Sequence, residues 1–378
     1  MSLFTSIFYI ADNRVKGRTK YPLDFILLIT FIATLCEKES WYEIYDFSVE
    51  YELELLKLYE TLSQEKVNSI PSHDTLNRVF QLIDPSEMET VYSRFIEHIF
   101  GEQKVKHLCF DGKTQRGVKK LDFNTEGHVV SAFDPKRMCS VAQRFISKKE
   151  TEVSAILEMI SMLDISDTVI TADAIATQTS VVSSVLEKRG DYILVAKDNQ
   201  KYTKVEIEDA FKPANKQFVK TLTTEDYGYG RIETRKLETI SHPIETLEDE
   251  EFTTLLKWSG LKSIHKLTRT RTQKKTGNKS EEIVYLISSL TDQQMVMDFT
   301  RKHWAIETNL HYMLDVYMAE DQMQKRAGNV AKNMNIFLKC VLTILTKLKE
   351  KEGKSVRRIR KILASKSPHD ILNIVSEL

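Results

Sequence analysis

Apolar positions recur every three to four residues through Phe25–Cys36, Tyr42–Tyr59 and Leu76–Leu82, the spacing that puts one face of a helix against a core. Residues 1–100 therefore read as a helical N-terminal domain. Pro71-Ser72 ahead of HDTLNRVFQLID marks a helix start with Ser72 or Asp74 as cap, and Pro85 marks its end. Thr75 and Arg78 point outward on that short helix. They suit either a DNA-reading element or an ordinary solvent face.

From Lys104 the period shortens. VKHLCF (105–110), HVVSAF (128–133) and SVAQRFI (140–146) read as three strands, with Asp134-Pro135 in the turn between the last two. Helix, strand, helix and strand follow over 153–163, 168–172, 174–189 and 191–196. Three strands and then alternation predict an α/β fold with a mixed sheet and flanking helices over 101–200. Residues 201–283 break the alternation with a Gly-Tyr-Gly-Arg turn (228–231) and short β-prone runs, and read as a β-rich insertion. IVYLISSL (283–290) and helical patterns over 293–321 and 329–352 return to the core across 284–350, leaving a basic tail over 351–378.

Composition narrows the class. The chain has 378 residues, enough for two or three domains, and is 42% hydrophobic and 29% charged, an ordinary globular balance. Its four cysteines stand far apart, which argues against a disulfide framework or a cysteine zinc site and fits the cytoplasm. The apolar run 25–36 falls short of the roughly 20 residues a membrane span needs, so no membrane role is expected. Net charge is +0, yet basic residues crowd into 325–361 and 262–279. Such segregation suits either a phosphate-binding face or solvated helix surfaces.

Asp111 and Asp173 each end a short apolar strand. Carboxylates at the ends of neighbouring strands can converge on two hard cations, the arrangement that serves in-line displacement at phosphorus. Aspartate after a strand is also a common turn or cap residue. Gly112-Lys113-Thr114 resembles the tail of a P-loop, but the required glycine five residues earlier is His107, which excludes that reading. His303, Glu307, His311 and Asp315 recur every four residues, a helical stripe beside the apolar Ile306, Leu310 and Leu314. The stripe lacks HExxH, so a zinc-protease helix is not indicated.

Ten blocks carry a resemblance. They are IPSHDTLNRVF (70–80), FDGKTQRG (110–117), HVVSAF (128–133), TADAIATQ (171–178), GDYILVAKDNQ (190–200), GYGRIETR (228–235), WSGL (258–261), YLISSL (285–290), HWAIETNLHYMLDVYMAED (303–321) and AGNVAKNMN (327–335). In this order, over nearly the whole chain, they resemble the H-repeat-associated (ISAs-type) DDE transposases. The resemblance implies a ribonuclease-H-like core with an insertion before its last helix. It carries the three metal-holding catalytic carboxylates onto Asp111, Asp173 and Glu307, with Asp315 and Glu320 as neighbours that could replace the last.

It further implies two Mg²⁺ ions, with Mn²⁺ as substitute, and cleavage of transposon ends followed by strand transfer of the 3′-hydroxyl. The partner is double-stranded DNA, held by a homodimer. Lys113, Arg116, Lys197, Asn199, Gln200, Arg231, His303, Trp304 and His311 are the expected DNA contacts. Trp258 could stack on an unpaired base or sit in the core. Thr308, Tyr312 and Tyr229 depart from the family pattern without removing a carboxylate. A DNA-binding relative without activity, or a nuclease without strand transfer, would share much of this sequence.

Overall fold

The computed structural model describes residues 10, 12, 14, 19–101, 104–115, 127–147, 150–228, 230–247, 253–323 and 328–378. Among these residues, nine strands form one mixed sheet in the order β3-β2-β1-β4-β5-β9-β8-β7-β6. They are β1 His107–Thr114, β2 His128–Asp134, β3 Cys139–Ile146, β4 Val169–Ala172, β5 Asp191–Ala196, β6 Lys220–Gly228, β7 Arg231–Ser241, β8 Ser263–Gln273 and β9 Lys279–Ser288. Strands β1, β4 and β5 run parallel and the remaining pairs are antiparallel. The 201–283 stretch is thus an extension of the core sheet: β9 pairs with β5 from Ile193↔Ser288 to Ala196↔Tyr285 and carries β8, β7 and β6 outward.

The N-terminal helices are α1 Leu23–Leu35, α2 Trp41–Glu50, α3 Glu52–Ser63, α4 His73–Leu82 and α5 Pro85–Phe100. Their starts follow local chemistry. Ser40 and Glu43 form a reciprocal capping box, Ser72 accepts from Thr75 N–H, and Asp84 caps α5 with Pro85 in its first turn. Pro85 therefore opens a new helix as well as closing the one before it. Helix α1 is buried along nearly its whole length, as its unbroken apolar run requires. No helix among the described residues is long and apolar enough to cross a membrane.

Alternation along β1 divides its side chains between two layers. Leu108 and Phe110 pack with Val130, Ile170 and Leu194 against α6 Glu152–Met162, α7 Thr179–Glu187 and α8 Lys201–Ala210. On the other face Cys109 joins the core of the N-terminal helices and α10 Val330–Glu352. Helix α9 Gln293–His303 covers the same side further along, with Val296 and Met297 on Val169, Ile193 and Leu267. Asp111 and Lys113 share the face of Cys109, so both meet the helical layer that follows α9.

Two short helices end the chain, α11 Val356–Leu363 and α12 Pro368–Ser376. The basic run is divided by burial. Arg357, Arg358 and Lys361 face solvent, whereas Lys339 and Arg360 are inside. Arg360 bonds the carbonyl oxygens of Tyr317 and Thr34, and Lys339 reaches Ser131 and Gln143.

Candidate active site

The parallel register sets the two aspartates side by side. Phe110 pairs with Ala172, and the next residues are Asp111 and Asp173. A side chain at Gly112 would have to shift its neighbours: an added Cβ would lie 2.6 Å from the Glu152 carboxyl and 2.7 Å from His128 Nε2. Those two groups form an ion pair of 2.8 Å on the far face of β1.

After α9 the helix widens. Tyr312 N–H bonds Glu307 C=O and Met318 N–H bonds Met313 C=O, both spanning five residues, as in a π-helix. Such turns recur at functional sites. Here they lay the four-residue stripe across two strands. His303 meets β4, with Nδ1 3.0 Å from Thr171 Oγ1 and Nε2 3.8 Å from Asp173 Oδ1. Glu307 and His311 meet Asp111, and the three ligand atoms lie within 4.8 Å of one another. Asp315 meets Lys113.

Charge is uneven in this space. Burial, together with Glu307 and Asp173, pushes the Asp111 carboxyl up to about 7. Asp173 goes the other way, since His303 holds it below its usual range. His311 is driven down to about 3 by burial and by Lys113 and Lys339, and stays a neutral imidazole. His311 Nε2 has no hydrogen-bond partner among the described residues.

Lys113 is buried, not on a DNA-facing surface. Its amine bonds Asp315 and Glu320, and Glu320 also accepts from Gln115 and Asn335. Asp315 and Glu320 are therefore committed to Lys113, and Glu307 is the acid of this segment that faces Asp111. Arg116 lies outside the described residues. Lys197 lines the cavity beside Asp173, which also holds Trp304 and Arg269. Exposed Asn199 and half-buried Gln200 give their side-chain amides to the carbonyls of Ala174 and Thr177 and so brace the loop after Asp173. Arg231 is exposed at the start of β7 in a groove with Arg235, Arg271 and Trp304.

Trp258 is 2% exposed with its indole N–H on Thr203, a core residue. Trp304 is open, 46% exposed, with the Arg269 guanidinium 4.7 Å from its ring centre. The sequence reading missed the contribution of Thr171. A threonine facing the helical layer two residues before Asp173 was the available signal.

A ribonuclease-H-like sheet with acids at adjoining strand ends defines a class of enzymes acting on phosphodiesters. The family described as "Transposase DDE domain" matches residues 83–344, and "DDE_Tnp_1-associated" matches residues 4–96. The chain belongs to the DDE transposase family. It is 32% identical to "Putative transposase YncI" of Escherichia coli O157:H7, over 100% of this chain and 96% of that protein. It is 30% identical to "H repeat-associated putative transposase YhhI" of Escherichia coli K12, over 95% and 94% respectively. Among solved structures, the piggyBac transposase synaptic complex with hairpin DNA aligns with a TM-score of 0.50 at 12% identity, over 98% of this chain and 80% of that one.

Proposed function

We propose that this transposase cuts DNA at the ends of a mobile element and joins the freed 3′-hydroxyl to target DNA, using Asp111, Asp173 and Glu307 to hold two divalent ions, Mg²⁺ or Mn²⁺. The observation that carries the reading is the meeting of Asp111 and Glu307 beside Asp173, with no lysine or arginine among the described residues paired to Asp111 or Glu307. Lys113, on the same strand face, is taken up by Asp315 and Glu320. Like-charged carboxyls around the partly buried Asp111 fit a hard cation, which would relieve their repulsion. Asp111, Asp173 and Glu307 would hold divalent ions whose chemistry, when bound, would be to activate water and stabilise charge on the leaving 3′ oxygen.

The chain's own residues shape the rest. Thr171 orients His303, and His303 holds Asp173 ionised toward the site. Asn199 and Gln200 keep the following loop in place. Lys197 and Arg231 are open to phosphates, Trp304 offers a face to a base, and Arg357, Arg358 and Lys361 present a further basic surface. Two copies pairing two DNA ends, in the cytoplasm, would complete the assembly. The test is cleavage and joining of end-bearing DNA with Mg²⁺. Asp111→Ala is expected to abolish both, and unchanged cleavage would refute the scheme. Nicking without joining by the natural chain would instead favour a nuclease.

A further inference from the structure

We propose that His311 is a direct nitrogen ligand of the ion held by Asp111 and Glu307, so that this position prefers Mn²⁺ over Mg²⁺. The proposal rests on the carboxylate reading above and adds a donor to it.

Among the described residues, Asp111, Glu307 and His311 are the one group of three potential ligands whose donor atoms come within 4.8 Å of each other. Asp173, next to His303, is not a member of that group of three. The third donor beside Asp111 and Glu307 is therefore an imidazole. The backbone makes this so: the five-residue bond from Tyr312 N–H to Glu307 C=O keeps Glu307 and His311 together over β1.

The ring is not accounted for by ordinary packing. His311 is 8% exposed, yet Nδ1 is 3.3 Å from Asp111 Oδ2, beyond a good N–H···O bond, and Nε2 has no partner among the described residues. A histidine serving only the core would have its nitrogens satisfied. One serving only as a phosphate contact would be open to DNA. Imidazole nitrogen suits transition ions, whereas Mg²⁺ favours an all-oxygen octahedron. One nitrogen among oxygens therefore shifts the balance toward Mn²⁺.

The experiment titrates Mn²⁺ into the metal-free full-length protein, counts free ion by electron paramagnetic resonance, and examines bound ion for ¹⁴N spin-echo modulation. Expected are Mn²⁺ bound in an Asp111-dependent way, ¹⁴N modulation in the natural chain and in His303→Ala, and its loss in His311→Gln. Competition with Mg²⁺ should show the Mn²⁺ preference falling roughly tenfold or more in His311→Gln. Asp111-dependent binding without ¹⁴N modulation, or modulation that survives His311→Gln, overturns the assignment and leaves the carboxylate reading standing. No Asp111-dependent binding overturns both. Should His311→Gln fail to fold, missing ¹⁴N modulation in the natural chain still overturns the assignment, and modulation kept in folded His303→Ala supports it.

Discussion

Lys113 and Glu320 form a buried ion pair 2.5 Å long, their side chains 8% and 3% exposed, joining the strand of Asp111 to the segment beyond the widened helix. Removing one member strands the other charge. Lys113→Ala should cost roughly 3–5 kcal/mol of stability. Lys113→Met with Glu320→Gln should recover part of it, because glutamine can still meet Gln115 and Asn335. Urea unfolding of the three proteins checks this. A weaker grip on DNA with unchanged stability would restore Lys113 as a phosphate contact.

Lys339 makes stability depend on pH. Burial pushes its ammonium from 10.5 down to about 7, with Glu320 and Glu89 opposing the shift and Lys113 adding to it. Between those values the unfolded chain binds more protons, so this residue makes stability rise with pH; below about 7 its full penalty is present. Lys339→Met should be more stable than the natural chain at pH 7, and its advantage should shrink by on the order of 1 kcal/mol per pH unit toward pH 9. Parallel stability curves for the two proteins would contradict the assignment.

Gly112→Ala must displace the His128–Glu152 pair from behind Asp111. A loss of about 1–3 kcal/mol is expected, with reduced DNA cleavage. In a His128→Ala background the same change should cost clearly less. Additive losses in that double-mutant cycle would mean the clash is relieved elsewhere.

Trp258 and Trp304 should separate cleanly. Trp304→Ala is expected to weaken binding of DNA with an unpaired end by about 1–3 kcal/mol while leaving the fold intact, and Trp304→Phe to retain most of the affinity. Trp258→Ala should instead lower stability by roughly 3–5 kcal/mol. Fluorescence anisotropy and thermal melting together distinguish these outcomes. Equal affinity for Trp304→Ala would remove that ring from the interface.

Strand-end aspartates were legible because a short apolar run with Asp at its end is a local pattern, and β1, β4 and β5 lie close to where alternation puts them. The four-residue stripe was legible as a face, but not its division between two strands. That division depends on bonds spanning five residues, which leave no mark in side-chain periodicity. The burial of Lys113 could have been reached: period two puts it on the face of Asp111, toward a helix that carries Asp315. The join of β9 to β5 is a pairing across about ninety residues, and local patterns do not report it.

That join makes the sheet a measuring device. Neighbouring strands stand about 4.8 Å apart, so β8, four places from β1, sits ~19 Å from the strand of Asp111. Arg271 on β8 holds that spacing through continuous backbone pairing, and Arg231 on β7 lies one strand further out. A DNA strand gripped there would reach the carboxylates after about five or six phosphates at 3.4 Å each. Where the cut falls would then be set by a count of strands.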